Sequence, residues 1–527
     1  MSYSDLRELL AALEKNELLR HVSAEVDKNW EISMVMRWIY QGYSEDNRFA
    51  VSFDKVKGFS IPVVVGAFGG SYKTYALSLG IDPHGPKSEV MAAIRKRWAD
   101  ALGKPIPPVM VGKGSCQENV LKGGDINLHR FPVPVWTPEK DGNWNRGLGF
   151  LTAPCHITRD PDSGAYNMGT YRSMLRENPA EMGVNFSLGS HIQGHVKKYE
   201  GRGLPTPVAT LIGVDPAVGL ASATRIPGDM DELSVAGGLR GSPVEMVKCL
   251  TIDLAVPASS EIVIESIIRP RSERPHDIEG PFGEVTGYQG CATYSPVMEV
   301  QCITFRNNPI YQAYISQMPP SESSKLRHVG MEALTLKKLL DAGIEGVEDI
   351  NMPESAQGRF IIVSIRKTDD SHPERVAREV FNILQPRLGK FVVVTDDDID
   401  IYDLDNVLWA LTFRTTLTPE KRDIHFIEGL SANALDYSAA PSLEAELKKR
   451  SGEHTWPGVG AFIDATRPYI PYPVVSLPPA RYLEQTKKDW ARYGLPKLEK
   501  EALPRTIVVE ERYLAEGKAT MDLMPRS

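Results

Sequence analysis

The sequence predicts a multidomain protein of mixed α and β structure, and three observations support that prediction. The chain has 527 residues, which at about 150 residues per domain suggests two to four domains. Strand signals dominate residues 148–316, whereas strand and helix patterns alternate after residue 325. Hydrophobic residues make up 42% of the sequence and charged residues 24%, the ordinary composition of a globular protein.

The N-terminal region predicts two helices, a buried strand and a glycine-rich turn. Leucines at helical spacing predict an amphipathic helix over residues 1–20. Residues 61–65 (IPVVV) predict a buried strand, and residues 86–102 predict the second helix. The turn GAFGGSYKT after the strand is not a phosphate-binding loop, because Tyr72 rather than glycine precedes Lys73.

Four segments rich in β-branched or aromatic residues predict strands in the middle of the chain. The last two flank the turn RNNP and predict a hairpin. Residues 243–250 (PVEMVKCL) are amphipathic and open at a proline, which predicts a short helix. The predicted strands cover residues 208–215, 261–268, 297–305 and 310–316.

Beyond residue 325, alternating helices and strands predict a sheet with helices packed on it. The proline- and charge-rich tail from residue 476 contains one short predicted helix, and we expect it to reach a partner subunit. The predicted helices cover residues 325–343, 373–384 and 405–414, and the predicted strands cover residues 358–367 and 390–398.

Charge and cysteine usage narrow the classes of partner and compartment. The net charge of −8 and the pI near 5.9 argue against nucleic acid as the main partner, which usually meets a basic face. Five scattered cysteines without a C-x-x-C pair fit a reducing cytoplasm. The N-terminus does not read as a signal peptide, and no apolar stretch approaches the length of a membrane span. We therefore expect a cytoplasmic protein.

The segment ERPHDIEGPFGEVTGYQG (273–290) holds two acids, Glu279 and Glu284, on a loop of restricted shape. Glycine permits unusual backbone angles and proline fixes one of them, so the loop has a defined conformation. Two carboxyl groups in a confined site raise the pKa of one of them, which makes a proton donor near neutral pH. The residues alone leave two interpretations open, an acid–base site and a solvated surface pair.

Two further segments carry side chains suited to a site. Arg172 in AYNMGTYRSMLR (165–176) is a permanent cation whose planar donors suit a carboxylate, although a surface arginine is the alternative. His191 and His195 are four residues apart, so a helix would place both on one face. Ile192 follows His191, so the H-E-x-x-H motif of zinc proteases is absent. A zinc hydrolase is therefore the least favoured function.

The acidic segment TDDDIDIYDLD (395–405) does not fit a calcium-binding loop. A loop that starts at Asp396 needs glycine at position six and glutamate at position twelve. The chain has Ile401 and Val407 at those positions. We expect a solvated loop at the end of a strand.

Taken together, these motifs resemble the UbiD-like decarboxylase family. The resemblance rests on Asn167 and Arg172 in an N-x-x-x-x-R spacing, His191 in SHIQGH, Glu245 in RGSPVEMVKC, and the EGPFGE loop, in that order. It extends over roughly residues 60 to 430, and EGPFGE together with VEMVKC upstream is its most specific part.

The resemblance implies a UbiD-like fold. That fold has a split β-barrel flavin-binding domain, a linking helix and an α/β C-terminal oligomerisation domain. The implied boundaries are 1–130 for an N-terminal α/β region, 131–322 for the barrel, 323–345 for the helix and 346–527 for the C-terminal domain with its tail. A homodimer or a higher homo-oligomer follows from the same resemblance.

The implied activity is reversible, non-oxidative decarboxylation of an aromatic or heteroaromatic, α,β-unsaturated carboxylic acid with prenylated FMN, which carries the difficult chemistry. Arg172, Glu279 and Glu284 match the catalytic set of the family. Glu284 would deliver the proton that replaces CO2, and Glu279 would tune Arg172. A separate flavin prenyltransferase would supply the cofactor. The alternative is a non-catalytic or complex-dependent flavin- and metal-binding subunit of a larger carboxylase.

The resemblance also implies metal ions beside the cofactor phosphate. Asn167, His191 and Glu245 match the ligands of a divalent metal, usually manganese, and their amide, imidazole and carboxylate groups suit it. Potassium would bind near Ala221, Ser222 and Thr224. The predicted cofactor-binding residues are Asn167, Met168, Gly169, Thr170, Tyr171, Arg172, Ser190, His191, Glu245 and Lys421.

Polar residues beside the expected pocket favour an aromatic or heteroaromatic acid over cinnamate. Ser190 stands where some cinnamate-type members of the family carry glutamine. The segment QMPPSESSKLRHVG (317–330) supplies Lys325, Arg327 and His328, of which Arg327 and His328 are the predicted substrate contacts. The alternative is that these side chains begin the linking helix and face solvent.

Overall fold

The computed structural model describes residues 3–186, 189–228, 230–384, 389–432, 438, 442, 456–498 and 502–522. The chain divides into two units, Met1–Leu334 and Thr335–Ser527. The boundary between them lies within the predicted linking helix. The finer division at residues 130, 322 and 345 stays a prediction.

The first unit begins with helices around a four-stranded sheet. The helix predicted over residues 1–20, whose first two residues lie outside the described residues, ends at Lys15. The chain then turns at Glu17, which has a φ of 59°, and Leu19 pairs with Ala50 of a neighbouring strand. The strand predicted at 61–65 and the helix at 86–102 are confirmed. The elements are α1 Leu6–Lys15, β1 Leu19–Val26, α2 Glu31–Gly42, β2 Ala50–Val56, β3 Val63–Val65, α3 Tyr72–Ser78 and α4 Lys87–Gly103.

Most strands of the first unit lie in its central part, as predicted. This central part consists of the elements from β4 Val109–Met110 to β18 Tyr311–Ala313, and the helix α8 follows it. They are β4 Val109–Met110, β5 Asn119–Lys122, β6 Phe150–Leu151, β7 Cys155–Arg159, β8 Tyr166–Thr170, β9 Ser173–Leu175, β10 Glu181–Val184, α5 His191–Gly201, β11 Thr206–Ile212, α6 Pro216–Ala223, α7 Glu232–Arg240, β12 Glu245–Lys248, β13 Ala255–Pro257, β14 Ile262–Ile268, β15 Asp277–Glu279, β16 Thr293–Ser295, β17 Val297–Phe305, β18 Tyr311–Ala313 and α8 Glu322–Asp341.

Nine of these strands form one sheet that curls into a half-barrel. The strand order is β6-β9-β10-β17-β14-β11-β7-β8, and β5 pairs with β17. Inward-facing residues such as Ile262, Ile264 and Ile303 are buried in its core. Tyr171 and Arg172 form the two-residue connection between β8 and β9, which lie towards opposite ends of the strand order.

Two expectations for this region are wrong. The strands β17 and β18 do not form a hairpin, because β17 pairs with β10, β14 and β5 while β18 runs parallel to β3 in the first sheet. Asn308, with a φ of 48°, lies in the turn that carries the chain between the sheets. Residues 245–248 form the strand β12 rather than a helix, because they pair with β13 and β4.

The second unit has the predicted alternation of helices and strands around a sheet of order β19-β20-β21-β23-β22. The described part of the tail contains two α-helices, where the sequence predicted one. No helix among the described residues combines the length and apolar composition that a membrane crossing requires. The elements are β19 Val347–Asn351, β20 Phe360–Ile365, α9 His372–Leu384, β21 Phe391–Asp396, α10 Leu404–Phe413, β22 Ile424–Ala432, β23 Trp456–Ala465, β24 Tyr472–Pro473, α11 Ala480–Lys488, α12 Arg505–Ala515 and β25 Ala519–Thr520.

The expectation of a solvated acidic loop after β21 is also wrong. Asp396 and Asp398 are at most 4% exposed, because buried arginines from later in the chain neutralise them. Arg414 donates two hydrogen bonds to Asp398, each 2.7 Å long, and Arg467 donates a third of 3.0 Å. These four side chains form what we call the aspartate cluster.

The glycine-rich turn after β3 binds an anion from its own chain. The backbone N–H groups of Gly66, Phe68 and Gly69 donate to the carboxylate of Glu322 over 2.7–3.2 Å. Glu322 is fully buried, and burial raises its pKa to about 7. The exclusion of a nucleotide-phosphate loop is consistent with this arrangement, since Glu322 takes up the N–H groups that a phosphate would need.

Candidate active site

Three predicted residues from two distant segments of the chain meet in one buried ion-pair group, which we call the Arg–Glu trio. Arg172 donates from Nε to Glu279 Oε1 and from Nη2 to Glu279 Oε2, and both bonds are 3.0 Å long. Its Nη1 donates to Glu284 Oε1 over 3.0 Å. The guanidinium group therefore lies between the two carboxylates, which excludes the interpretation as solvated surface residues.

Local backbone features place the two acids. Glu279 ends β15, and Gly280 then turns the chain with a φ of 87°. The loop closes on itself, since Glu284 N donates to Tyr288 O over 2.8 Å. A side chain at Gly290 would begin 2.4 Å from Glu284 Oε1. The glycines of this loop thus permit both its turn and the close approach to Glu284.

An aromatic ring supports the guanidinium group of the trio. The Cζ atom of Arg172 lies 5.3 Å from the centre of the Phe282 ring, within the range of a cation–π interaction. Phe282 is buried against Phe150, with ring centres 4.5 Å apart. Burial works against the charge of Arg172, but Glu279 and Glu284 outweigh it and raise its pKa.

The two acids of the trio differ in how firmly they are held. Glu279 is fully buried and accepts a third hydrogen bond, of 3.1 Å, from Asn185 Nδ2. The Glu284 side chain is 17% exposed and accepts one hydrogen bond from Arg172. Both oxygens of Glu279 thus accept hydrogen bonds, whereas Glu284 Oε2 accepts none from a described residue and its side chain is partly exposed.

Buried polar side-chain atoms lie on β8, which comes just before Arg172 in the chain, and at the start of α5. Asn167 is 3% exposed. Its Nδ2 and the Oγ of Ser190 are buried and form no hydrogen bond of good geometry with a described residue, although both lie close enough to the Tyr171 hydroxyl to lower the pKa of that group. Burial raises the pKa of Tyr171 to about 12. Buried polar atoms without partners are rare in native proteins, so they mark a place where a bound group would satisfy them.

One acidic residue that sequence reasoning missed contacts this strand from a helix. Glu232 begins α7, and its Oε2 accepts a 3.2 Å hydrogen bond from Met168 N, the residue after Asn167. Burial raises the pKa of Glu232 to about 7. The signal was the pair Asp231–Glu232 at a helix start. Asp231 caps the helix, which leaves Glu232 for another role.

The predicted ligands His191 and Glu245 are both exposed. His191 is the first residue of α5, whereas Glu245 begins β12, where it pairs with Val109. His195 is buried instead, with its Nδ1 2.9 Å from Thr158 Oγ1, and burial lowers its pKa. His191 and His195 thus lie in different surroundings, although they belong to the same helix. Among the described residues no group of three or more His, Cys, Asp and Glu could hold a metal.

Three family models match successive parts of the chain. They describe the N-terminal domain (residues 10–94), the Rift-related domain (109–319) and the C-terminal domain (329–464) of 3-octaprenyl-4-hydroxybenzoate carboxy-lyase, UbiD. The chain belongs to the UbiD family of carboxy-lyases. The predicted resemblance and the predicted enzyme class are thereby confirmed.

Solved structures of UbiD-class enzymes share the fold of this UbiD member. An evolved dimeric form of HmfF from Pelotomaculum thermopropionicum, solved with prFMN, is 29% identical with a TM-score of 0.74, over 90% of this chain and 97% of that one. The vanillic acid decarboxylase of Sedimentibacter hydroxybenzoicus in open form is 29% identical with a TM-score of 0.78, over 93% and 100%. The 3,4-dihydroxybenzoic acid decarboxylase of Enterobacter cloacae, 24% identical with a TM-score of 0.74 over 97% and 100%, shares the fold.

The residues predicted for potassium lie at the end of α6 in this UbiD chain. Ser222 Oγ is 2.9 Å from Thr170 Oγ1 on β8, and Thr224 Oγ1 donates to Leu220 O over 2.9 Å. Ala221 O accepts a hydrogen bond from Thr224 N. The helix end thus contacts the strand that carries the predicted cofactor-binding residues.

The residues predicted near the substrate differ in their surroundings. Lys325 and His328 are each 4% exposed, and Lys325 forms an ion pair with Glu45. Burial lowers the pKa of His328 well below its usual value. For these two the solvent-facing alternative is therefore wrong, whereas Arg327 is exposed. A role at the substrate stays a prediction.

Lys421, predicted to bind the cofactor phosphate, belongs to the second unit. It is exposed in a turn before β22, and its Nζ lies 3.4 Å from Asp423 Oδ1. Its backbone carbonyl accepts a 2.8 Å hydrogen bond from Thr418 N. The phosphate contact stays a prediction.

Proposed function

We propose that this UbiD-class carboxy-lyase is a reversible, non-oxidative decarboxylase of an aromatic or heteroaromatic, α,β-unsaturated carboxylic acid that uses prenylated FMN. The observation that carries the proposal is the Arg–Glu trio, with one fully buried and one accessible glutamate on the same arginine. Relatives of 29% identity are a vanillic acid decarboxylase and an enzyme solved with prFMN. The bound flavin would hold the electron pair that remains when the bond to the carboxylate breaks.

In this proposal Glu284 is the proton donor. Its side chain has the exposure and the free oxygen that proton exchange requires. The carbon–carboxylate bond breaks, CO2 leaves, and the proton of Glu284 forms the new carbon–hydrogen bond. In the carboxylation direction the same carboxylate takes that proton back.

Arg172 would fix the acids and receive the substrate carboxylate. Its three hydrogen bonds to the glutamates use three of the five N–H groups of a guanidinium. The other two N–H groups can donate hydrogen bonds to the carboxylate of a substrate in a fixed geometry. Glu279 would keep the guanidinium in place rather than react itself.

We further propose Asn167, His191 and Glu232 as ligands of a divalent cation such as manganese, with Glu232 in place of Glu245. The contact of Glu232 with Met168 N ties it to the strand of Asn167, whose side chain is buried. A side chain at Gly228 would begin 3.7 Å from His191 Nε2, so the segment before α7 lies beside His191. Amide oxygen, imidazole and carboxylate suit manganese, and flavin phosphate would complete the shell.

A matched pair of variants decides between the two glutamates. We expect Glu232→Gln to lose bound manganese and flavin on dialysis, whereas Glu245→Gln keeps both. Metal analysis and flavin absorbance of the purified variants measure this. Loss from Glu245→Gln alone would restore Glu245 as the ligand.

Potassium at Ala221, Ser222 and Thr224 is the second cation of the proposal. The contact of Ser222 with Thr170 places hydroxyl oxygens together there. The remaining cofactor-binding residues of the proposal are Met168, Gly169, Thr170, Tyr171, Arg172, Ser190 and Lys421.

A flavin prenyltransferase would supply the cofactor, and the chain would act as a homodimer or a higher homo-oligomer. The HmfF relative is an evolved dimer. In the second unit, Trp409 and Phe413 of α10 and Phe426 of β22 are exposed, and apolar surface of this kind suits an interface between copies. The molar mass in solution tests this.

The decarboxylase proposal is tested with the chain co-expressed with a flavin prenyltransferase. We expect the purified protein to release CO2 from some members of a panel of aromatic acids. In D2O it should place deuterium at the carbon that loses the carboxylate. No turnover from a protein that carries prenylated FMN would favour the alternative of a complex-dependent subunit, which the second component of the vanillic acid decarboxylase structure, ShVdcD, makes worth testing.

A further inference from the structure

A polar residue outside the trio contacts both Arg172 and Glu279. Asn185 directly follows β10, and β10 pairs with β9 so that Val184 is opposite Ser173. Asn185 therefore lies opposite Arg172, and its backbone N–H donates to Arg172 O over 3.3 Å. The pairing of two strands thus brings Asn185 to the site although its sequence, VNFS, carries no motif.

The side chain of Asn185 acts on the carboxylate of Glu279. Its Nδ2 donates to Glu279 Oε2 over 3.1 Å and lies 3.4 Å from Thr293 Oγ1. Thr293 is the residue opposite Glu279 in the β15–β16 pair. A side chain at Gly183 would begin 3.3 Å from Glu279 Cγ, so glycine there leaves room for Glu279. The end of β10 therefore packs closely around this carboxylate and donates a hydrogen bond to it.

We infer that Asn185 is a positioning residue that holds the Glu279 carboxylate against Arg172, so that Glu284 is the acid left to exchange the proton of the reaction. The inference rests on the proposed function. An amide suits this role because it donates a hydrogen bond without adding a charge. Glu279 accepts three hydrogen bonds, two from Arg172 and one from Asn185, whereas Glu284 accepts one from Arg172. Asn185 thus keeps one acid in place as the partner of the arginine and leaves the other accessible.

The substitutions Asn185→Ala and Asn185→Asp separate this role from simple packing. Alanine removes the donor, and we expect kcat to fall about 10-fold with KM changed less than about twofold, as for the loss of one hydrogen bond to a charged group. Aspartate keeps the size but replaces the donor by a second negative charge. We expect it to lower kcat by at least about 100-fold at pH 7 and to move the acid limb of the pH–rate profile to higher pH.

A packing role predicts the opposite order, since aspartate has nearly the same shape as asparagine. The matched control is Asp277→Asn, two residues from Glu279 on the same strand, where Asp277 pairs with Arg176 over 2.6 Å. We expect that variant to keep the pH profile of the wild type. Crystal structures of the Asn185 variants add a readout independent of turnover, because the Glu279 carboxylate should leave its position against Arg172.

The wild-type holoenzyme is assayed first, which separates this inference from the proposed function. If the wild type turns over no acid of the panel, the proposed function is wrong. In that case the position of Glu279 in the variant crystals still tests whether Asn185 holds its carboxylate against Arg172. If the wild type is active and Asn185→Asp is at least as active as Asn185→Ala with an unmoved profile, Asn185 only packs. An Asp variant that is worse than the Ala variant, with a shifted acid limb, supports the inference.

Discussion

Each unit contains a buried group of arginine and carboxylate side chains, and the two groups differ in their balance of charge. The aspartate cluster matches Arg414 and Arg467 with Asp396 and Asp398, so its formal charges cancel. The Arg–Glu trio sets one arginine against two glutamates, so one negative formal charge is left over. A buried charge without a counter-charge is costly, and a proton removes that cost. Under the proposed function, the surplus acid with partial exposure, rather than a buried ion pair as such, is the feature that suits proton transfer.

The largest expected effect comes from changing the arginine of the trio. Arg172→Lys keeps the charge but loses the planar fork that bonds both glutamates at once. We expect kcat/KM on an active acid to fall about 1000-fold, within the range for loss of an electrostatic group at an active site. The midpoint of urea unfolding should change little. A variant with near wild-type activity would show that Arg172 is a structural residue like Arg414.

The same type of change in the second unit should affect stability rather than rate. Arg414→Met leaves Asp398 with one of its two buried arginines, and breaking a buried pair costs about 3–5 kcal/mol. We expect a lower urea midpoint for the second unit, while folded protein keeps its turnover. A loss of turnover without a loss of stability would contradict a purely structural role for the aspartate cluster.

A pH effect distinguishes the two aspartates of the second cluster. Burial raises the pKa of Asp396 to about 6, whereas for Asp398 burial is outweighed by Arg414 and Arg467, which lower the pKa. The folded chain then binds more protons at Asp396 than the unfolded chain between about pH 4 and 6, so this contribution to stability falls as pH rises through that window. The change is at most about 3 kcal/mol.

The variant Asp396→Asn removes that titration. We therefore expect its stability relative to the wild type to improve as pH rises from 4 to 6 and then to stay level. Urea midpoints of both proteins at several pH values measure it. A constant difference between them would mean that Asp396 stays ionised throughout.

The smallest effect concerns the rings beside the arginines. Arg172 lies over Phe282 and Arg414 lies 5.1 Å from the centre of the Trp409 ring. A cation–π contact contributes about 1 kcal/mol, so Phe282→Leu should lower kcat/KM about fivefold. Trp409→Leu is the control in the other cluster and should leave kcat/KM unchanged. Equal losses in both variants would contradict a local role for Phe282.

The parts of the site that the sequence could predict are those coded by short motifs. Glu279 and Glu284 lie within one loop, and glycine and proline restrict its shape, so their pairing was visible in a few residues. Glu232 and Asn185 were missed because their contacts join elements far apart in sequence: Glu232 meets Met168, and Asn185 meets Glu279. Such contacts depend on how distant segments of the chain pair and pack, and no local sequence pattern predicts this.

The errors in the fold have the same origin. The alternation beyond residue 325 predicted β20, β21 and the helices α8 to α10 correctly because these elements are long and periodic, whereas β19, β22 and β23 were not predicted. The acidic run after β21 was expected in solvent, yet Arg414 and Arg467 neutralise it from positions 16 and 69 residues away. The segment at 243–250 is short enough to suit either a helix or a strand, and pairing with β13 decided it.

The most direct test of the account is the turnover of Glu284→Gln, with Glu279→Gln beside it, in D2O. The Glu284 variant should bind prenylated FMN with an unchanged absorbance and unfold at the wild-type midpoint, yet release no CO2 and incorporate no deuterium. Glu279→Gln should keep a measurable rate, because the donor remains. A Glu284→Gln variant that exchanges deuterium at the wild-type rate would contradict the assignment of Glu284 as the proton donor.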